Sequence, residues 1–314
     1  MPHLPSFHPR RPLGRTGFVA TPLGIGDLAD RQVPIEQCVA TACRAIAAGL
    51  NLIDTAPSYE DGYSERIVGQ VVRTCGVGRD QLFVISKIDH HDQPVGPQID
   101  ASLGRLGIDH TDLFVFHGLS TMEGWNKLIR PGDGFDQLAQ CVKAGKTRFR
   151  GISSHHPDVL AAAIPSGLCD VVMFPVGAYV HPRYVEEILP LAKMHGVGTV
   201  CFKTFGAGKL LTDTTGYSRP LAQRPRGKIS SGGTATPGAP ILPHLSVDEC
   251  LHYALTLDPD VALLGMSFPN EQDAAFAAFK TFKPLSPAKK AELRRRGIEA
   301  VKDKGPCWWN PGNF

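Results

Sequence analysis

Several hallmarks of large protein classes are missing from this 314-residue chain. No apolar run approaches the roughly 18 residues that a membrane-spanning helix needs, so no membrane association is expected. None of the eight cysteines forms a Cys-x-x-Cys pair, which argues against a zinc site or a thioredoxin-like motif. The N-terminus is interrupted by prolines and lacks the apolar core of a signal peptide. These absences predict a cytoplasmic protein whose cysteines are reduced.

Net charge is also small, at +3. The one dense basic run, at residues 294–296, falls in a Lys- and Glu-rich segment that is typical of a solvated helix face. No nucleic-acid partner is therefore expected. The hydrophobic share of 42% and the charged share of 20% are those of a globular protein that buries a sizeable core.

The chain does contain a regular alternation of strand and helix signals. Apolar runs typical of buried strands occur near residues 21–25, 51–54, 82–87, 112–117, 148–153, 170–175, 197–202 and 261–265. Helical periodicity follows each of them, at residues 35–48, 64–73, 98–106, 135–144, 157–164, 183–195, 247–257 and 271–279. Eight such units predict an α/β fold, a (β/α)8 TIM barrel. We expect one domain over residues 1–314 with a core of about 11–285.

Two observations complete the prediction of the fold. A doubly wound dinucleotide fold is disfavoured because residues 24–26, Gly-Ile-Gly, stop short of a Gly-x-Gly-x-x-Gly pattern. The stretch 206–244 follows the seventh strand and is rich in Gly, Pro, Ser and Thr, which is typical of a lid, a binding loop or a disordered segment. Residues 286–314 are predicted to form a C-terminal helix and tail, in which Trp308 and Trp309 pack on the body or a neighbouring subunit.

Ionisable residues end three successive strands of the predicted barrel. Asp54 ends the run at 51–54 and Tyr59 follows shortly after it. Lys87 ends the run at 82–87, and His117 ends the run at 112–117. The carboxyl ends of barrel strands form the functional face, so these side chains are expected to meet there. The alternative for Asp54 and Lys87 is a structural ion pair, and for His117 a satisfied core histidine.

The four side chains together suit proton donation to a carbonyl oxygen. A tyrosine hydroxyl has an ordinary pKa near ~10, which is too high for efficient donation at neutral pH. A neighbouring ammonium such as Lys87 favours the phenolate of Tyr59, while the Asp54 carboxylate fixes the ammonium in place. His117 is suited to orienting the carbonyl oxygen by a hydrogen bond. A nicotinamide is the usual hydride source for such a reduction.

These motifs resemble those of the aldo-keto reductases. Residues 54–59, Asp-Thr-Ala-Pro-Ser-Tyr, followed by Ser-Glu at 64–65, resemble the Asp-Thr-Ala-x-x-Tyr…Ser-Glu signature of that family. The segments 11–17, 86–87 and 145–153, together with His117, match the family in the same order, and the likeness runs from about residue 11 to 280. The resemblance implies a barrel that binds NADPH or NADH across its C-terminal mouth. It also implies catalytic residues, namely the general acid Tyr59, its partners Asp54 and Lys87, and the carbonyl-orienting His117.

The resemblance implies a set of cofactor-binding residues that departs from the family pattern. Ser153 and Ser154 stand where the family commonly has Ser-Asn, and Met173 stands in place of a glutamine. Phe202 keeps an aromatic face for stacking on the nicotinamide. The segment 203–208 offers backbone amides and an ammonium near the pyrophosphate. Its implied ligands are Lys203, Thr204, Phe205, Gly206 and Gly208, and Asp54 is counted among the cofactor contacts as well.

The adenosine end departs furthest from the family. Gly265 and Ser267 begin a segment that resembles the 2′-phosphate loop, but Gln272 and Asp273 stand where an arginine is expected. An aspartate repels a 2′-phosphate and can accept a hydrogen bond from a ribose hydroxyl. We therefore expect weak discrimination in favour of NADPH, or a preference for NADH.

The predicted function is NAD(P)H-dependent reduction of a small-molecule aldehyde or ketone, or the reverse oxidation of an alcohol or sugar carbon. Residues 119–133, which include Trp125, and the loop 206–244 are expected to border the substrate pocket. The altered cofactor positions keep one alternative open, a cofactor-binding regulatory or interaction protein with vestigial turnover.

The histidine pairs raise a second alternative, a metal-dependent barrel hydrolase. Such enzymes bind zinc through histidines and carboxylates at strand ends. Here the members of each pair, His90-His91 and His155-His156, are adjacent in the chain, so both cannot easily face one metal ion. We therefore expect no metal site, and place His90 and His155 at the mouth of the barrel as possible substrate contacts.

Overall fold

A closed barrel of eight parallel strands forms the centre of the computed structural model, which describes residues 7–26, 31, 33–211, 242–302, 304, 307, 309 and 310. Its strands are β3 (Leu23–Gly26), β4 (Leu52–Asp54), β5 (Phe83–Ile88), β6 (Thr111–Phe116), β7 (Thr147–Ser153), β8 (Val171–Pro175), β9 (Gly198–Phe202) and β10 (Val261–Gly265). Each strand pairs with the next in the chain, and β10 pairs with β3. The predicted (β/α)8 barrel is confirmed.

Helices surround the barrel. They are α1 (Ile35–Ala47), α2 (Tyr63–Thr74), α3 (Val95–Leu106), α4 (Met122–Leu128), α5 (Gly134–Lys143), α6 (Pro157–Ala163), α7 (Leu189–Met194), α8 (Val247–Thr256), α9 (Pro269–Lys280) and α10 (Pro287–Val301). The single helix predicted at 183–195 is instead a π-helical turn, Tyr184–Ile188, followed by α7. Pro190 has no backbone N–H with which to continue an α-helical ladder through this segment. The N–H of Leu189 accordingly reaches back five residues to the carbonyl of Tyr184.

The segment 119–133 contains a helix that the sequence patterns did not predict. The hydroxyl of Thr121 accepts a hydrogen bond from the N–H of Gly124 at 3.1 Å and thereby caps the start of α4. Trp125 is 3% exposed, and its ring packs edge-on against Phe135 with the ring centroids 5.4 Å apart. The expectation that Trp125 borders the substrate pocket is therefore wrong, because its side chain belongs to the core.

A hairpin closes the N-terminal end of the barrel. Its strands β1 (Arg11–Pro12) and β2 (Val19–Ala20) are two residues each, too short to show periodicity in the sequence. Leu13 lies in the turn between them and packs into the apolar barrel interior with Phe83 and Val171. Gly14 has a φ of +49°, and a Cβ at this position would lie 2.2 Å from the backbone N of Gly198. Only glycine allows this close approach.

The C-terminal tail packs against the body where it is described. Trp309 is 3% exposed, and its indole N–H donates to the hydroxyl of Tyr179 at 2.6 Å, as predicted for a packed tryptophan. In the basic run, Arg294 donates to the carbonyl of Val180 and Arg296 pairs with Glu249, so only Arg295 has the exposed position predicted for all three. Trp308 lies outside the described residues, as do residues 212–241 of the stretch predicted to be a lid, a binding loop or a disordered segment.

None of the described helices is both long enough and apolar enough to cross a membrane.

Candidate active site

A buried ion pair joins the C-terminal ends of β4 and β5. The Lys87 Nζ lies 2.7 and 2.8 Å from the two carboxylate oxygens of Asp54 and 2.8 Å from the carbonyl oxygen of Thr55. Both charged side chains are only 2% exposed. A buried ammonium is tolerated when good acceptors satisfy its hydrogens, and here three acceptors surround one nitrogen. Asp54 and Lys87 therefore form a rigid charged pair at the mouth of the barrel.

Tyr59 and His117 lie beside this pair. The Lys87 Nζ is 4.5 Å from the centroid of the half-buried Tyr59 ring. That ring meets the imidazole of His117 edge-on, with centroids 5.7 Å apart and an interplanar angle of 78°. The structure thus brings together all four side chains that the sequence selected as catalytic candidates.

The Ser-Glu motif after Tyr59 ties α2 to the strands. The hydroxyl of Thr55 donates to the hydroxyl of Ser64 at 2.8 Å, and the hydroxyl of Ser86 donates to Glu65 at 2.7 Å. Arg105 on α3 donates to the other oxygen of the fully buried Glu65 at 2.5 Å. The motif therefore fixes the loop that carries Tyr59 without itself reaching the mouth.

Asp89 is a residue of this site that the sequence reasoning missed. Its Oδ1 lies 2.5 Å from the Nδ1 of His117, and its Oδ2 accepts the backbone N–H of Ser58 at 2.9 Å. Burial acts to raise the pKa of Asp89, but the hydrogen bonds from His117 and Ser58 outweigh burial and lower it below its usual value. The only sequence signal was its position two residues after Lys87, on the same side of an extended chain.

The paired histidines have separate surroundings. His155 is half-buried with its ring 5.3 Å from that of Phe202, whereas the Nδ1 of His156 accepts the N–H of Asp158 at the start of α6. Burial and the charges of Lys203 and His117 lower the pKa of His155 to about 3, so this ring is neutral. His90 is exposed. Among the described residues, no three His, Cys, Asp or Glu side chains are arranged to hold a metal ion.

The predicted nicotinamide-binding residues differ in burial. Phe202 ends β9 half-buried and packs against the apolar interior of the barrel. Ser154 is fully buried, and its hydroxyl accepts the N–H of His156 at 3.1 Å. Met173 is also fully buried, in the apolar interior of the barrel, opposite Ser153 in the strand register. Neither side chain has accessible surface, and the contact of Ser154 and Met173 with the cofactor stays a prediction.

The segment after β9 fits a phosphate-bearing group through its side chains. Thr204 is 2% exposed, and its hydroxyl oxygen is buried with no hydrogen-bond partner among the described residues. Lys203 adds an ammonium whose Nζ lies 5.2 Å from the Trp309 ring centroid. A buried hydroxyl without a partner, next in the chain to a lysine, is the kind of group that an anionic ligand satisfies.

The glycines of this segment form a tight turn. The N–H groups of Gly206 and Gly208 donate within the segment, each at 2.8 Å, to the carbonyls of Lys203 and Phe205. Both glycines have positive φ, 60° and 88°, which shapes the tight turn. These two amides are thus already paired, and the contact of segment 203–208 with the pyrophosphate stays a prediction. Phe205 is buried against the core.

At the predicted adenosine end, the side chain of Gln272 on α9 is fully buried against α1. Its Nε2 donates to the carbonyl of Thr41 at 2.7 Å, and its Oε1 accepts from Arg44 at 3.1 Å. Arg44 also pairs with Asp273, so the aspartate charge expected to repel a 2′-phosphate is balanced. The assignments of Gln272 and Asp273 as cofactor contacts stay predictions, and both side chains already have protein partners.

Other polar groups lie at the predicted adenosine end of the site. The N–H of the buried Ser267 donates to Glu271 at 2.7 Å, whereas Gly265 is exposed at the end of β10. Asn270 was not selected from the sequence, yet its Nδ2 is buried without a hydrogen-bond partner in the described part of the chain. An unsatisfied amide at the start of α9 fits a polar ligand there.

Comparisons with known proteins identify the family of this chain. A sequence model of the Aldo/keto reductase family matches residues 22–293. An aldo-keto reductase of Mycobacterium avium (strain 104) is 29% identical over 197 residues, which cover 62% of this chain and 64% of that protein. The NADH-specific methylglyoxal reductase of Escherichia coli (strain K12) is 27% identical over 236 residues, which cover 65% of this chain and 69% of that protein. The matched parts thus span 64% and 69% of the length of these relatives.

A solved structure has the same fold. The aldo-keto reductase from Klebsiella pneumoniae in complex with NADPH superposes with a TM-score of 0.67 at 21% sequence identity, over 92% of this chain and 96% of that one. The family match covers most of the chain, from β3 into α10. The chain therefore belongs to the aldo/keto reductase family.

Proposed function

We propose that this protein catalyses the NAD(P)H-dependent reduction of an aldehyde or ketone, or the reverse oxidation of an alcohol or sugar carbon. One observation carries the proposal. The buried Asp54–Lys87 pair lies against Tyr59, and His117 meets the same tyrosine edge-on. A charged pair placed beside a phenol and an imidazole supplies the groups that carbonyl reduction requires.

In this proposal each residue has one role. Tyr59 donates a proton to the carbonyl oxygen, and the Lys87 ammonium beside its ring stabilises the phenolate that remains. Asp54 holds the ammonium in place by accepting two of its hydrogen bonds. His117 hydrogen-bonds the carbonyl oxygen and orients it. The nicotinamide, when bound, supplies the hydride for the carbonyl carbon.

The residues proposed to hold the cofactor lie at the carboxyl ends of β9 and β10 and in the segments that follow them. Phe202 would provide a stacking face for the nicotinamide, Lys203 and Thr204 would hold the pyrophosphate, and Gly265 and Asn270 would bind the adenosine end. The related proteins support either nicotinamide cofactor, since one relative is NADH-specific and one similar structure contains NADPH. Small carbonyl compounds are the proposed substrates. We also propose a cytoplasmic location, since the described cysteines form no disulfide.

The Tyr59→Phe variant tests this function. It keeps the ring and loses the proton, so we expect carbonyl reduction to fall at least ~100-fold, within the range that general acid catalysis contributes. NAD(P)H binding, measured by fluorescence titration, should stay unchanged. Tyr63→Phe is the matched control, because the Tyr63 hydroxyl donates to the carbonyl of Val33 and not to the mouth. Undiminished turnover in Tyr59→Phe would refute the mechanism.

The vestigial alternative is tested on the native protein. A panel of aldehydes, ketones and sugars is assayed for NADPH and NADH oxidation. Tight cofactor binding with no turnover on any carbonyl would favour a regulatory or interaction protein. Turnover that Tyr59→Phe abolishes would favour the enzyme.

A further inference from the structure

One carboxylate connects the loop of Tyr59 to the ring of His117. Asp89 follows directly after β5, and β5 lies between β4 and β6 in the barrel. Its two oxygens therefore reach opposite neighbours. Oδ2 accepts the N–H of Ser58, beside Tyr59, and Oδ1 meets the Nδ1 of His117. The side chain is only 15% exposed, so water competes weakly for these contacts.

The chemistry of the contact fixes which nitrogen of His117 carries hydrogen. The lowered pKa of Asp89 keeps it ionised at neutral pH, and an ionised carboxylate can only accept hydrogen bonds. A 2.5 Å contact with Nδ1 therefore requires a hydrogen on Nδ1. In the neutral ring, Nε2 is then the nitrogen with the free lone pair.

We propose that Asp89 is a positioning residue that holds His117 in its Nδ1–H form, with Nε2 presented to the substrate oxygen. This inference rests on the proposed function, in which His117 orients that oxygen. The neutral ring accepts the hydroxyl hydrogen of an alcohol at Nε2. When Nε2 also carries a proton, it donates a hydrogen bond to a carbonyl oxygen. The Asp89 contact on Nδ1 is the same in both directions of the reaction.

The backbone of the Tyr59 loop makes the proposal testable. In Asp89→Asn, the N–H of Ser58 can be accepted only by the amide oxygen. The amide NH₂ must then face His117, where it can donate only to an unprotonated Nδ1. The substitution therefore keeps the tie to Ser58 and drives His117 to the opposite, Nε2–H form. A purely structural role for Asp89 predicts no such change.

The tautomer is read directly by ¹⁵N NMR of the full-length protein labelled at histidine. The His117 signals are assigned as those that His117→Asn removes. We expect Nδ1–H in the native protein and Nε2–H in Asp89→Asn. Asp92→Asn, an exposed carboxylate three residues further on, is the control and should leave the native form unchanged. Nε2–H in the native protein, or no change in Asp89→Asn, would overturn the proposal.

Kinetics give a second readout. We expect kcat of Asp89→Asn to fall about 10-fold or more, as when an outer partner of a functional histidine is lost. The KM for the nicotinamide cofactor should stay unchanged, and an unaltered kcat would contradict the positioning role. The tautomer measurement needs no turnover, so it can fail while Tyr59→Phe still abolishes activity, and the reverse also holds. A result that refutes the positioning role of Asp89 is therefore distinguishable from one that refutes the proposed function.

Discussion

Arg44 on α1 and Asp273 on α9 form an ion pair across the outer layer of the barrel, and Arg44 donates to Gln272 of the same helix as well. The pair joins residues 229 positions apart in the chain. It places a cation beside the segment proposed to receive the adenosine end of the cofactor, at a position where the sequence alone indicated only negative charge.

Removal of the Asp273 charge should favour NADPH. In Asp273→Asn the Arg44 guanidinium loses its counter-charge and becomes available to a 2′-phosphate. We expect the ratio of NADH to NADPH dissociation constants to rise about fivefold, equivalent to about 1 kcal/mol for an exposed charge pair. Fluorescence titration at low and high salt measures the ratio, and salt should reduce the effect. Asp248→Asn, an exposed carboxylate at the start of α8, is the control. An unchanged ratio places the 2′-phosphate elsewhere.

Loss of one partner of the buried ion pair should cost more than loss of both charges. Lys87→Met leaves the Asp54 carboxylate buried and uncompensated, and we expect it to lower the free energy of unfolding by about 3–5 kcal/mol. The double variant Lys87→Met/Asp54→Asn removes both charges and should recover part of that loss. Urea denaturation measures both values. Equal stability of the single and double variants would contradict the coupling between the Asp54 and Lys87 charges. We expect neither variant to reduce carbonyls.

A close contact between α2 and α3 depends on one glycine. A Cβ on Gly69 would lie 1.8 Å from the carbonyl oxygen of Leu106, so Gly69→Ala must push the helices apart. We expect a loss of about 1–3 kcal/mol, the usual cost of overpacking. Gly104 on α3 faces open space, and Gly104→Ala should instead stabilise the protein by about 0.5–1 kcal/mol. Thermal and urea unfolding would reveal the opposite signs, and destabilisation by both variants would contradict the contact argument.

His155 should make the protein sensitive to acid. Its pKa is lowered from 6.5 to about 3 in the fold, so between those values the unfolded chain binds a proton that the native state does not. Stability therefore falls as the pH drops below 6.5, by up to about 1.4 kcal/mol per pH unit from this group. His155→Gln and His155→Phe both remove the titration. Unfolding curves from pH 7 to 4 should show a shallower decline in both variants than in the native protein.

The barrel was predictable because its strands are buried on both faces. Such strands form continuous apolar runs, and the runs at 82–87 and 112–117 fall within one residue of β5 and β6. The sequence did not predict elements that are too short to show a clear hydrophobic period. These are the two-residue strands of the hairpin and the seven-residue helix α4, which contains Gly124.

A site residue could be predicted from the sequence where an ionisable side chain ends an apolar run. Asp54, Lys87 and His117 have that signal. Asp89 does not, because the run at 82–87 has already ended at Lys87, and Asp89 reads as the first residue of a polar loop. The role of Gln272 was hidden for another reason. Its partners Thr41 and Arg44 lie on a helix more than 200 residues away in the chain, and only packing reveals them.

Lys87 and Asp89 lie two residues apart at the end of β5. Lys87 is bonded towards β4, and Asp89 is bonded both to the loop after β4 and to His117 after β6. The proposed acid and the proposed orienting ring thus share a single mechanical support. A displacement of β5 moves both contacts together, so neither can be retuned alone by changes in its packing. Phe83 and Ile85 anchor β5 inside the barrel. Enlarging or shortening the side chain at either position should therefore impair proton donation by Tyr59 and orientation of the substrate by His117 together. Loss of only one of these two functions would instead indicate damage to Lys87 or to Asp89 alone.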